Sequence, residues 1–307
     1  MVNDYSSARK TGKTGWIADD ETTNNKPTER KGAGEMNRTK GMMQAVGVAV
    51  AMTIGISIAW AQEKPAAALA VRNGDKIAFM GDSITAGGTQ PKGYVTLVME
   101  ALKEEGLDVS AVPAGKSGHR SNDMLARLDA DVISKQPQWM TLSCGVNDVW
   151  HFKLRLGNRT FQGVPLEEYK KNITAIIEKA QAAHIQVMVL TSTMIGEDPE
   201  RELNKNLIPY NEFLRQIAKE KNCPLADLNQ DMQEALKRMP DVKGPARMFG
   251  EPGYQRDIQN KLTSDGCHMN ALGNIMMAKG VLRAFGLSEE KVAAVEKSWL
   301  EGKRKGR

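Results

Sequence analysis

The chain has 307 residues, of which 41% are hydrophobic and 26% charged, with a formal net charge of +5. These are the proportions of a soluble globular protein, and so small an excess of positive charge over this length leaves no electrostatic footprint for nucleic acid. Three cysteines, Cys144, Cys223 and Cys267, do not make a disulfide framework.

Residues 1–35 are polar and lack apolar periodicity. They cannot bury enough surface to offset their ordering entropy, so a disordered leader is expected. Thr11-Gly12-Lys13-Thr14 hints at a phosphate loop, but Ser7 stands where the pattern requires glycine and no apolar strand precedes it. At Met36 the character changes. The cationic stretch Asn37-Arg38-Thr39-Lys40 leads into the uncharged run Ala45–Ile58, which closes on Ala59-Trp60-Ala61. That order is an export signal over 36–61 with a small-x-small cleavage site. The rival reading is an uncleaved anchor, since the stretch without charge from Gly41 to Gln62 is just long enough to span a bilayer. A signal starting at Met36 also makes 1–35 a misplaced translation start. Residues 62–74 then serve as a linker.

About 245 residues remain, enough for one well-filled core. Strands are expected at Lys76–Met80, Val109–Val112, Trp139–Ser143, Gln186–Leu190 and Pro224–Leu228. Between them, helical spacing runs over Tyr94–Leu107, Ser121–Ser134, Leu166–Ala183 and Leu203–Lys221, where Pro209 marks a kink or the true start. A closing helix is expected over Ala271–Phe285, so the folded domain covers 75–288, followed by a C-terminal helix and basic tail over 289–307. Lys303-Arg304-Lys305, with Arg307, reads as a solvated end. Strands alternating with helices predict an α/β domain whose mostly parallel sheet is covered on both faces. In such a sheet, ligands bind beyond the carboxyl ends of the strands. Residues 152–165 and 193–206 are the longest loops and are placed to border a cleft.

The residues at the strand ends test that rule. Gly81-Asp82-Ser83-Ile84-Thr85 comes after the first strand, Ala114-Gly115-Lys116-Ser117-Gly118-His119 after the second and Gly145-Val146-Asn147-Asp148 after the third. Asp265-Gly266-Cys267-His268 precedes the last helix. Singly these are turn residues; together they hold the parts of an acyl-transfer site. A serine hydroxyl needs a base to take its proton as it attacks. Of the four histidines, His184 reads as structural. His268 has Asp265 three residues before it, so one turn orients the imidazole and leaves Nε2 for Ser83. Gly118 and Asn147, with the N–H of Ser83, suit the oxyanion donors. Asp82 and Asp148 read as loop ties that accept backbone N–H groups. His119, Trp150 and His151 are expected to line the substrate. No His-Glu-x-x-His or Cys-x-x-Cys occurs, so neither a metal site nor a cofactor is expected.

In that order the four blocks resemble the SGNH/GDSL hydrolase superfamily, over residues 76 to about 286. The resemblance implies a flavodoxin-like three-layer α/β/α sandwich with a five-stranded sheet. It also implies no metal, Ser83 as nucleophile, Gly118 and Asn147 as oxyanion donors, and Asp265–His268 as orienter and base. One departure is Cys267 inside the Asp-x-x-His block, with Cys144 directly before Gly145. Two buried thiols are the favoured reading, and a Cys144–Cys267 bridge the alternative.

The function expected is a serine ester hydrolase of short acyl groups on carbohydrate, similar to exported bacterial esterases in the periplasm or outside the cell. The substrate is a small-molecule or polysaccharide ester, with neither nucleic acid nor, once the signal is cleaved, a membrane as partner. The alternatives are a lysophospholipase or thioesterase for longer chains, and a catalytically idle carbohydrate binder. N-terminal sequencing of exported protein is expected to begin near Gln62; peptides from residues 1–35 in that material contradict the Met36 start.

Overall fold

A computed structural model describes residues 69–156, 159–241, 248 and 260–302. The leader, the export signal and the basic tail lie outside the described residues. No helix among the described residues is long and apolar enough to cross a membrane.

Five parallel strands form the sheet: β1 (Lys76–Gly81), β2 (Ser110–Gly115), β3 (Trp139–Ser143), β6 (Gln186–Leu190) and β7 (Leu225–Ala226), in spatial order β2-β1-β3-β6-β7. β4 (Arg155–Leu156) and β5 (Arg159–Thr160) make a separate antiparallel pair inside the loop expected at 152–165. The order is that of a flavodoxin-like sheet, as expected. Central strands are almost wholly apolar because both of their faces are covered: Ile77–Met80 and Trp139–Leu142 are all buried, Thr141 being the one polar residue among them. Pro113 lies inside β2 without cost because β2 is an edge strand, paired only with β1. That is why β2 runs to Gly115, beyond the expected end before Pro113.

The helices are α1 (Ser83–Gly88), α2 (Tyr94–Glu104), α3 (Ser121–Asp131), α4 (Val146–Trp150), α5 (Leu166–Ala182), α6 (Glu202–Glu220), α7 (Leu228–Arg238), α8 (Ala271–Ala284) and α9 (Glu289–Leu300). α2 packs on α8, and α8 on α7 and α9, while α3 packs on α5 and α5 on α6. These two groups are the outer layers of the sandwich. Ile173, Ile176, Ile177 and Ala180 of α5 are fully buried, as the spacing predicts. Trp139 meets Phe285 edge-on, with centroids 5.3 Å apart, joining the middle of the sheet to the end of α8.

Three departures have local causes. Pro209 lies inside α6, which starts seven residues earlier at Glu202. The fifth strand keeps only Leu225–Ala226, because the Asp227 side chain accepts from Gln230 N and starts α7. Leu228, Met232 and Leu236, spaced by four and all buried, were the signal for that helix. The short helices α1 and α4 each begin within a Gly-containing motif where the sequence reading placed only turns.

Candidate active site

Every polar block read from the sequence lies at the carboxyl-end rim of the sheet or on the loop before α8. At the end of β1, Asp82 turns the chain: its Oδ1 accepts from Ile84 N at 2.9 Å, which caps α1 and makes half-buried Ser83 its first residue. His268, 185 residues away, brings Nε2 to 2.8 Å from Ser83 Oγ. Its Nδ1 lies 2.7 Å from Asp265 Oδ2. The other carboxylate oxygen, Oδ1, accepts from the backbone N–H of Cys267 (3.0 Å) and His268 (2.7 Å). One aspartate therefore folds the turn with one oxygen and holds the imidazole with the other, which is why a spacing of three suffices. Burial pushes the Asp265 carboxyl up, but the hydrogen bonds from the His268 ring and backbone outweigh it and hold the group below its ordinary value. It is therefore a carboxylate at neutral pH.

Facing this line are the donors. Gly118 is exposed, with φ +77 in the left-handed region that glycine tolerates. The amides of Ser83 and Gly118 donate to no acceptor among the described residues. Asn147 is buried on α4, and its Nδ2 donates to His119 O at 3.0 Å, leaving its second hydrogen uncommitted among the described residues. Gly145 precedes it at φ +134, where a Cβ would stand 2.2 Å from Ser192 Oγ. Only glycine lets α4 start there.

Asp82 and Asp148 are the expected loop ties. Asp148 Oδ1 accepts from Ser121 N at 2.9 Å, joining α4 to the start of α3, and Cys144 Sγ lies 3.5 Å from Oδ2. Burial pushes both carboxyls up to about 6. Cys144, Cys223 and Cys267 are all free and buried, so the Cys144–Cys267 bridge does not form and the two buried thiols stand. Burial pushes the Cys144 and Cys267 thiols well up, so neither is a ready nucleophile.

The three residues expected to line the substrate fall in different places. His119 is on the Gly118 loop; its Nδ1 accepts from Arg127 Nε at 3.1 Å, and burial together with that guanidinium lowers its pKa. His151 is buried with its ring against Phe161, and Trp150 is half-buried against the core. His184 sits before β6, at the opposite end of the sheet.

Sequence reasoning passed over Arg127. This buried guanidinium donates to Gly81 O (2.8 Å), Ala114 O (2.8 Å) and Asp131 Oδ2 (2.8 Å), besides His119. It thereby links the ends of β1 and β2 to the Gly118–His119 loop. A charge on the α3 face shared with Met124 and Leu128 was the available signal. No group of three or more His, Cys, Asp or Glu among the described residues is arranged to hold a metal ion.

The arrangement has counterparts. The model of the GDSL-like lipase/acylhydrolase family matches residues 79–274. An acetylxylan esterase of Geobacillus stearothermophilus is 26% identical over 230 residues, covering 70% of this chain and 96% of that protein. The solved structure of Axe2, an acetylxylan esterase from the same organism, aligns with a TM-score of 0.58 at 25% identity, over 71% of this chain and 97% of the other. The acetyl xylan esterase AlAXEase aligns at 0.57 with 34% identity, over 68% and 98%. Catalytic mutants of the Geobacillus enzyme replace a serine, an aspartate and a histidine by alanine, the last two being three positions apart.

A carboxyl whose pKa is higher folded than unfolded is more readily protonated in the fold, so its ionisation costs stability as pH rises from about 4 to about 6. Asp148→Asn keeps the acceptor for Ser121 N and removes the charge. Urea unfolding is expected to show the variant gaining on the wild type over that window by on the order of 1–3 kcal/mol, with little further change above it.

Proposed function

Because the chain belongs to the GDSL-like lipase/acylhydrolase family and is a carboxylic ester hydrolase, we propose that it removes acetyl groups from carbohydrate esters through an acyl-enzyme on Ser83. The observation that carries the reading is the unbroken line Ser83 Oγ–His268 Nε2–His268 Nδ1–Asp265, at 2.8 and 2.7 Å, beside backbone donors that have no acceptor among the described residues.

In this reading, His268 takes the Ser83 proton as Oγ attacks the acyl carbon. Asp265 holds the ring so that Nε2 is the acceptor, and its charge steadies the imidazolium that forms. The amides of Ser83 and Gly118, with Asn147 Nδ2, receive the oxyanion. His268 then protonates the departing alcohol. Water repeats the sequence on the acyl-enzyme and returns Ser83. Arg127 and the carboxyls of Asp82 and Asp148 stay out of the chemistry and hold its loops.

The acetyl and carbohydrate assignments draw on the acetylxylan esterases, which this chain matches over nearly their whole length. Esterase TesA of Pseudomonas aeruginosa, at 30% identity, is matched over only 51% of its length. The near-complete match to the acetylxylan esterases supports short acyl groups over the lysophospholipase or thioesterase alternative. The complete nucleophile–base pair argues against an idle binder, which has no need of one. The sequence at 36–61 supports export as the setting in which such a substrate is met.

Ser83→Ala is expected to keep the fold, seen by circular dichroism, and to lower turnover of an aryl acetate by about 10³-fold or more; full activity in that variant refutes the assignment. In a chain-length series of aryl esters run beside acetylated xylan, activity is expected to be highest for acetyl and to extend to xylan. Activity confined to long acyl chains overturns the acetylesterase reading.

A further inference from the structure

Glu197 lies in the loop between β6 and α6, well away in sequence from all four blocks, and is only 6% exposed. Its Oε2 accepts from Lys261 N at 2.6 Å. Its Oε1 accepts from Leu262 N (2.7 Å), Thr263 N (2.7 Å) and Thr263 Oγ1 (2.9 Å). No cation pairs with it among the described residues, so this buried charge is met by the donors of one short segment. A buried carboxylate persists only where such donors replace its water.

The segment it grips leads directly into the Asp265–His268 turn, and the grip continues there. Thr263 Oγ1, which donates to Glu197, accepts from Gly266 N at 3.1 Å. Gly196 N, beside Glu197, donates to Gly266 O at 2.6 Å. Gly266, between Asp265 and His268, is thus held on both of its backbone groups. The gripping loop is itself anchored: Asn204 of α6 accepts from Ile195 N and donates to Gly196 O and Asp198 O, at 2.7 to 2.8 Å. A chain of hydrogen bonds runs from the rigid helix α6 to the turn that carries the base.

We propose that Glu197 is a positioning residue for the hydrolysis: through residues 261–266 it sets where the Asp265–His268 pair stands relative to Ser83. The proposal rests on the reading of that pair as orienter and base. Glu197→Gln is the same size, but its amide nitrogen must face either Lys261 N or the donors of Leu262 and Thr263, a donor against a donor. The segment then shifts while the core is untouched.

The test measures kcat, KM and the acid limb of kcat/KM on p-nitrophenyl acetate. E197Q is expected to lose about 10- to 100-fold in kcat, the scale of a misplaced catalytic group, with KM within about twofold. The acid limb is expected to move to lower pH, because a loosened Asp265 stabilises the imidazolium less. Ile176→Val, a core change in α5, serves as a destabilised control and leaves that limb in place. A kcat within about twofold of wild type, or a loss of activity with the limb unmoved, overturns the proposal. If E197Q does not fold, Thr263→Val carries the test: it deletes the Oγ1 link to Gly266, and a smaller loss with the same direction of limb shift is expected, wild-type kinetics overturning the idea. His268→Ala separates the two readings. Activity retained in H268A refutes the assignment of the base, whereas an inactive H268A beside a normal E197Q refutes only the role of Glu197.

Discussion

The hydrogen bond between His268 Nε2 and Ser83 Oγ joins side chains 185 residues apart and sets the terms for the rest of the molecule. In the proposed hydrolysis, proton transfer tolerates little error in that distance, so both ends have to be held by something stiffer than a loop. A parallel sheet meets the demand on one side. All five strands point the same way, so the chain delivers Ser83, Gly118 and Asn147 to one rim on elements already fixed by the core. His268 has no such strand beneath it. It hangs on the segment before α8, and its place is set by Asp265 within the turn and by the β6–α6 loop against it.

Buried charge is the means of holding. Asp82 caps α1, Asp148 ties α4 to α3, Arg127 ties β1 and β2 to the Gly118 loop, and Glu197 takes the amides of residues 261–263. In each case a charged side chain takes backbone groups at the ends of strands, helices and loops, where the regular ladders stop. Hydrophobic contacts do not do this, because they carry no direction. The cost is visible in the raised carboxyls of Asp82 and Asp148, where burial outweighs the hydrogen bonds they accept. At Asp265 the balance falls the other way, since the His268 imidazole adds to the backbone donors. Three aspartates thus divide into two structural carboxyls titrating near 6 and one carboxylate that stays ionised beside the His268 imidazole.

Much of this was legible in the residues. The apolar runs at 76–80, 139–143 and 186–190 became strands with those residues, because fully buried parallel strands leave an unbroken hydrophobic signature. The amphipathic stretch at 166–183 became α5 for the same reason at a different period. Ser83, Asp265 and His268 were legible because their chemistry is carried by short local spacings. The fifth strand was read too long, and α7 was missed, because a two-residue edge strand and a capped helix share the same apolar residues. In the sequence Pro113 reads as a strand end, because an edge position cannot be recognised before the strand order is known.

The layer architecture, the chemical type of the site and the turn that pairs Asp265 with His268 all depend on residues near one another in the chain, and so were written in the amino-acid order. The buried charges that hold the site together were settled by the folded arrangement alone. Arg127 and Glu197 carry no local motif; the backbone groups they hold are 13 to 66 residues away. Which carbonyl or amide is left unpaired is known only once every strand and helix has taken its own share.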